Sequence, residues 1–99
     1  MTTTERVAAL IAVGDLSRVR RETIARAMRV HVTTMERRLR AEHTTYGALL
    51  MHERRKRCVD LFTMNPHADG ELVRRRCGYI EINSAYKAFI RMLAARFLM

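Results

Sequence analysis

Pro66 is the one proline in this chain, and it stands directly behind the longest stretch of helical periodicity. There the apolar positions Tyr46, Leu49, Leu50, Cys58, Leu61 and Phe62 recur mainly at spacings of three, four or one, which predicts a helix from Tyr46 to about Met64. A residue before proline avoids the helical region, so Asn65-Pro66 must stop that helix. Thr44 and Thr45 precede it as candidate caps. One Pro and 4 Gly among 99 residues leave little turn chemistry for a strand-and-hairpin architecture.

Shorter segments of the same kind flank the long one. Thr2 and Glu5 have capping-box spacing, and Val7, Ala8, Leu10 and Ile11 follow, predicting a first helix over about residues 3–13 that ends at Gly14. Asp15 or Ser17 is then expected to cap the next element. Residues 20–29 carry Ile24, Ala25, Ala27 and Met28 on a charged background, as a second short helix would. Val30-His31-Val32 interrupts. Thr33 or Thr34 is the expected cap of a third helix, with Met35 and Leu39 four apart facing inward and Glu36, Arg37, Arg38 and Arg40 on its other side. Beyond Pro66, Asp69 or Gly70 opens a segment to Cys77, Gly78-Tyr79 turns, and Asn83 or Ser84 caps a last helix carrying Tyr86, Phe89, Ile90, Leu93 and Phe97. The expected fold class is all-α.

Charge narrows the function. Lys and Arg number 19 against 10 acidic residues, for a net charge of +9. All the basic residues except Lys56 and Lys87 are arginine. The guanidinium fork suits phosphates and guanine edges, so a polyanionic partner is expected. Hydrophobic residues at 48% are too many for a disordered tail. No apolar run approaches the ~20 residues of a membrane span, and Met1-Thr-Thr-Thr-Glu-Arg is unlike a secretory signal. Cys58 and Cys77 form no CxxC pair and suit a reducing, cytoplasmic setting. The chain lacks a GxGxxG, a P-loop, an HExxH and a Ser/His/Asp signature, which argues against an enzyme. His31, His43, His52 and His67 match no zinc spacing, and no cofactor is expected.

Two stretches share a layout. Residues 22–42 and 71–96 each read as a helix, a short turn and a second helix bearing basic residues. A helix–turn–helix lays its second helix in the DNA major groove. Two such units on one connecting helix could reach successive major-groove faces about 34 Å apart. Residues 1–43, 44–65 and 66–99 would then be the first unit, the linker helix and the second unit of one DNA-binding domain.

The stretch from Ala27 through Val30-His31-Val32-Thr33-Thr34-Met35-Glu36-Arg37-Arg38-Leu39 to Glu42-His43-Thr44-Thr45-Tyr46 resembles the first helix–turn–helix of the AraC/XylS family of transcription regulators. The family pattern there is Ala-Leu-Gly-Met-Ser-x-x-x-Leu-x-Arg-x-Leu/Phe-x-x-Glu-Gly-Thr-Ser-Phe. Leu49-Leu50, Arg54-Arg55 and Leu61 resemble its linker helix, and Gly78-Tyr79 with Lys87-Ala88-Phe89 its second unit. The likeness covers about residues 16–92. Arg29 and His43 stand where that pattern has glycine, Arg74 where the second unit buries an alanine, and Ala85 where it has a core aromatic. A closing Gly-x-x-Pro is missing. No residues remain for an effector-binding domain, so the chain is similar to short stand-alone members, with no small-molecule effector implied.

The resemblance implies base reading by Thr33, Glu36 and Arg37 in the first unit and by Asn83, Ser84 and Lys87 in the second. Thr34 and Arg40 join them as candidate DNA contacts, and Arg55 as a phosphate contact. Arg37 suits guanine, Glu36 a cytosine amino group, and Asn83 adenine. The resemblance also makes Arg54 partly structural. The run Arg54-Arg55-Lys56-Arg57 cannot all point one way, so part of it is a solvated face. Arg74-Arg75-Arg76 reads either as a phosphate clamp or as solvation. Cys58 and Cys77 read as buried small apolar residues rather than redox sensors. Phe97, Leu98 and Met99 could dock on the domain or on a second protein. Together these readings point to a sequence-specific binder of double-stranded DNA that regulates transcription at promoters with RNA polymerase; the resemblance implies activation more often than repression. The alternative is a modulator that binds RNA polymerase or another regulator, with weak DNA affinity of its own.

Overall fold

Five helices account for most of the residues that the computed structural model describes, which are 1–65, 67–78 and 87. They are α1 (Thr3–Ala12), α2 (Arg21–Ala27), α3 (Val32–Ala41), α4 (Tyr46–Met64) and α5 (Gly70–Cys77), with no strand among the described residues. The chain is all-α, as its periodicity requires.

α1 shows how the ends of a short helix are satisfied. Its first N–H groups need partners outside the helix. Thr2 supplies one through the capping box, accepting from Glu5 N at 3.1 Å. Glu42, just after α3, supplies two more: its carboxylate accepts from Thr3 N at 3.3 Å and Thr4 N at 2.8 Å. At the other end Gly14 does not act as the expected left-handed stop. Val13 is the C-cap in a right-handed conformation, and Gly78 is the one positive-φ glycine among the described residues. Arg57 of α4 also bonds the last carbonyls, its Nη2 donating to Ala12 O at 2.7 Å and to Ile11 O at 3.3 Å. A carboxylate at the N-terminus and a guanidinium at the C-terminus both oppose the helix dipole.

Other boundaries follow local chemistry with two corrections. Asp15 accepts from Ser17 N at 2.9 Å and Ser17 Oγ at 2.6 Å, so it caps its own tight turn. α2 instead begins after Arg20, with no side-chain cap. α3 begins one residue before Thr33, because His31 Nδ1 accepts from Thr33 N at 3.2 Å. Thr45 caps α4 through Ala48 N, and Asp69 caps α5 through Leu72 N.

α2 and α3 end alike. Val30 N donates to Ala25 O and Thr44 N to Leu39 O, both six-to-one bonds at 3.0–3.1 Å closing over a left-handed residue. Those residues are Arg29 at φ 58° and His43 at φ 64°. They are the two positions where the resembled pattern carries glycine.

The core has two parts, and α4 joins them. The first contains Val7, Ile11, Leu16, Ile24, Ala25, Met28, Met35, Leu39 and Tyr46. Of the two alanines on α2, Ala25 is buried and Ala27 is exposed. The second contains Cys58, Phe62, Ala68, Val73 and Cys77. The two thiols pack together across α4 and α5, and burial pushes the Cys77 thiol up to about 12. Both are buried and neither is in a disulfide, in keeping with small apolar fillers.

A candidate nucleic-acid interface on α3

α2 and α3 pack as a helix–turn–helix, with Met28 to His31 between them. Met35 and Leu39 are fully buried and fix which face of α3 looks inward. At 100° per residue, Thr33, Glu36, Arg37 and Arg40 fall together on the opposite side. Thr33, Arg37 and Arg40 are exposed and Glu36 is half-buried. The four residues therefore form one polar stripe at spacings of three, four and seven. Thr34 stands at its edge, half-buried. Arg37 and Arg40 make no ion pair among the described residues, so both guanidinium forks are available to a partner.

Glu36 is not a free carboxylate. Arg21, the first residue of α2, donates from Nη1 to its Oε1 at 3.0 Å. The same guanidinium lies over the Tyr46 ring, 5.9 Å from its centre. Burial raises the Tyr46 phenol above its ordinary value, with Arg54 and Arg21 pulling it back. A cleft of about 310 Å³ opens here, lined by Arg21, Glu36, Arg40, Thr45, Tyr46 and Gly47. It runs from the α3 stripe to the N-terminus of α4.

On the linker helix the basic run divides as geometry requires. Lys56 is exposed and Arg55 half-buried. Arg54 is half-buried too, with its Nε out of solvent. Arg57 is structural: besides the α1 carbonyls it pairs with Glu53 at 3.1 Å. On α5, Arg74 is exposed and paired with Glu71 at 2.9 Å, and Arg75 lies 3.8 Å from the same carboxylate. Arg74 lies at the solvent although the resembled pattern buries an alanine there, because Val73 and Cys77 face the core. Lys87 is helical and exposed. Asn83, Ser84 and Ala85 lie outside the described residues.

Arg21 and Arg57 were not singled out from sequence. The Glu53–Arg57 spacing of four is a pairing signal that could have been read. Nothing local marks Arg21, whose partners come from α3 and α4. Among the described residues no group of three or more His, Cys, Asp or Glu could hold a metal ion. Among them, too, no helix is long and apolar enough to cross a membrane.

No protein-family profile matches the chain, and no curated protein matches it. Among solved structures, a crystal structure of a DNA-binding transcriptional dual regulator from Escherichia coli K-12 matches with a TM-score of 0.79. The identity is 22%, over 93% of this chain and 82% of that one. The protein described here shares the fold of that regulator.

Proposed function

We propose that the chain is a sequence-specific binder of double-stranded DNA that regulates transcription at promoters in the bacterial cytosol, together with RNA polymerase. One observation carries the reading: Thr33, Glu36, Arg37 and Arg40 lie on one face of the second helix of a helix–turn–helix, opposite its buried Met35 and Leu39. That face combines donors for guanine and phosphate with an acceptor for an amino group. The shared fold with a DNA-binding regulator supports it. Membership of the AraC/XylS family is part of the proposal. Its support is that Arg29 and His43, at the pattern's two glycine positions, both adopt the left-handed backbone for which glycine is suited. α4, 19 residues or about 28 Å long, would carry a second unit containing Asn83, Ser84 and Lys87 toward the next major-groove face.

Docking on RNA polymerase or another regulator is the second reading. It draws on a cleft of about 610 Å³ between α4 and α5, lined by Leu61, Met64 and Leu72 beside Arg75 and Arg76.

Selection from a random duplex pool, followed by footprinting and a salt titration, tests the first reading. A single enriched motif is expected, with affinity falling steeply as salt rises because phosphate contacts release counterions. Arg37→Ala should relax one base position at a cost of ~1–3 kcal/mol, and Arg55→Ala should weaken all sequences alike. No enriched motif, or affinity indifferent to salt, would refute it.

A further inference from the structure

We infer that Arg21 is a specificity-determining positioning residue: it holds the Glu36 carboxylate so that one oxygen reads a cytosine amino group. The inference rests on the DNA-binding reading above and extends it to a residue outside the reading helix. A carboxylate approaching DNA meets a dense row of phosphates and is repelled. An unpaired glutamate would swing away from the groove or weaken binding to every sequence. Here Arg21 Nη1 binds Oε1 at 3.0 Å, which offsets the charge and restrains that oxygen. It leaves Oε2 with no hydrogen bond among the described residues. A cytosine N4 amino group is the donor that such an oxygen recognises in the major groove.

The guanidinium is itself held. It lies over the ring of Tyr46 at cation–π distance, and Tyr46 is only 6% exposed and belongs to the first core. The order of support therefore runs from the core through Tyr46 and Arg21 to Glu36. Three helices contribute one residue each: α2, α3 and α4. Arg21 is more than half exposed, so its replacement should leave folding intact.

The test is binding-site selection with the wild-type protein, Arg21→Ala, Glu36→Ala and the double variant, alongside thermal melts. Wild type is expected to enrich a motif in which Glu36→Ala relaxes one base pair. Arg21→Ala should lower the preference for cytosine at that same pair by about tenfold, within the range of one good base contact. Preferences elsewhere and the melting temperature should hold. The double variant should discriminate no worse than Glu36→Ala, since the two residues act as one unit. Tyr46→Phe keeps the ring and should keep the preference. The inference is overturned if Arg21→Ala weakens every sequence equally, which would make Arg21 a phosphate contact. It is also overturned if Arg21→Ala changes the melt and not the preference. Failure of wild type to enrich any motif would overturn the DNA-binding reading itself, and this inference with it.

Discussion

Gly78 lies against Leu16 so closely that no side chain fits between them. A Cβ at Gly78 would fall 2.7 Å from Leu16 Cβ and 2.8 Å from Leu16 O. Gly78 is the left-handed C-cap of α5 at φ 77°, and Leu16 is a buried member of the first core. The end of α5 is thus fastened to the loop between α1 and α2. Gly78→Ala should cost roughly 1–2 kcal/mol for the backbone conformation and about 1–3 kcal/mol more for the overlap. Denaturant unfolding measures it. Trimming Leu16 to alanine should not rescue the variant, because the Cβ and backbone that clash remain.

Arg29 and His43 are the converse case. Each holds a left-handed conformation without being glycine. That conformation costs a non-glycine residue ~1–2 kcal/mol, while glycine loses ~0.4–1 kcal/mol through the unfolded chain. Arg29→Gly and His43→Gly should each raise stability by up to ~1 kcal/mol. A lowered midpoint in either variant would show that the side chain compensates for its backbone.

Arg57 should act on stability rather than on DNA. Its bonds to Ile11 O, Ala12 O and Glu53 tie α4 to the end of α1. Arg57→Met keeps the stem and removes the donors, with an expected loss of ~1.5–3 kcal/mol, as for hydrogen bonds to a charged group. The salt slope of DNA binding should be unchanged. A shallower slope with normal stability would move Arg57 to the phosphate-contacting set.

Glu42 should make the fold acid-sensitive. Hydrogen bonds from Thr4 and Thr3 hold its carboxyl below the usual carboxylate range. A depressed folded-state value means that the stabilisation is present above the ordinary carboxylate pKa. It is lost as pH falls through the lower, folded-state value. Asp15, lowered mainly by Ser17, acts in the same direction. Unfolding followed by circular dichroism should show stability falling with acid, and Glu42→Gln should flatten part of that slope. An unchanged slope would show that Glu42 does not link α1 to α3 in solution.

Cys77 should be chemically quiet. Its thiol is fully buried and pushed up to about 12, so almost no thiolate exists near neutral pH. A thiol-labelling reagent should react with it only as fast as the domain opens. Fast labelling of the native protein would mean that the α4–α5 contact opens locally.

What the sequence determined by itself was the set of features made by neighbours along the chain. Thr45 and Asn65-Pro66 bracket α4 because a cap and a proline act on the adjacent turn. The stripe of Thr33, Glu36, Arg37 and Arg40 follows from the helical repeat once Met35 and Leu39 turn inward. Tertiary structure decided the rest. Gly14 was free to end α1 in a left-handed turn, but Val13 caps the helix in a right-handed one and Arg57, 45 residues from Ala12, bonds that residue's carbonyl. Arg21 reaches Glu36 across 15 residues, and only the docking of α2 against α3 places them together. Arg74 stands where the resembled pattern buries an alanine, and only the docking of α5 on α4 decides that Val73 and Cys77 are the buried pair while Arg74 stays at the solvent with Glu71. Caps and periodicity act over a turn of helix and are legible in order along the chain. Which charge meets which depends on how the helices pack, and packing sums contacts from residues far apart in sequence.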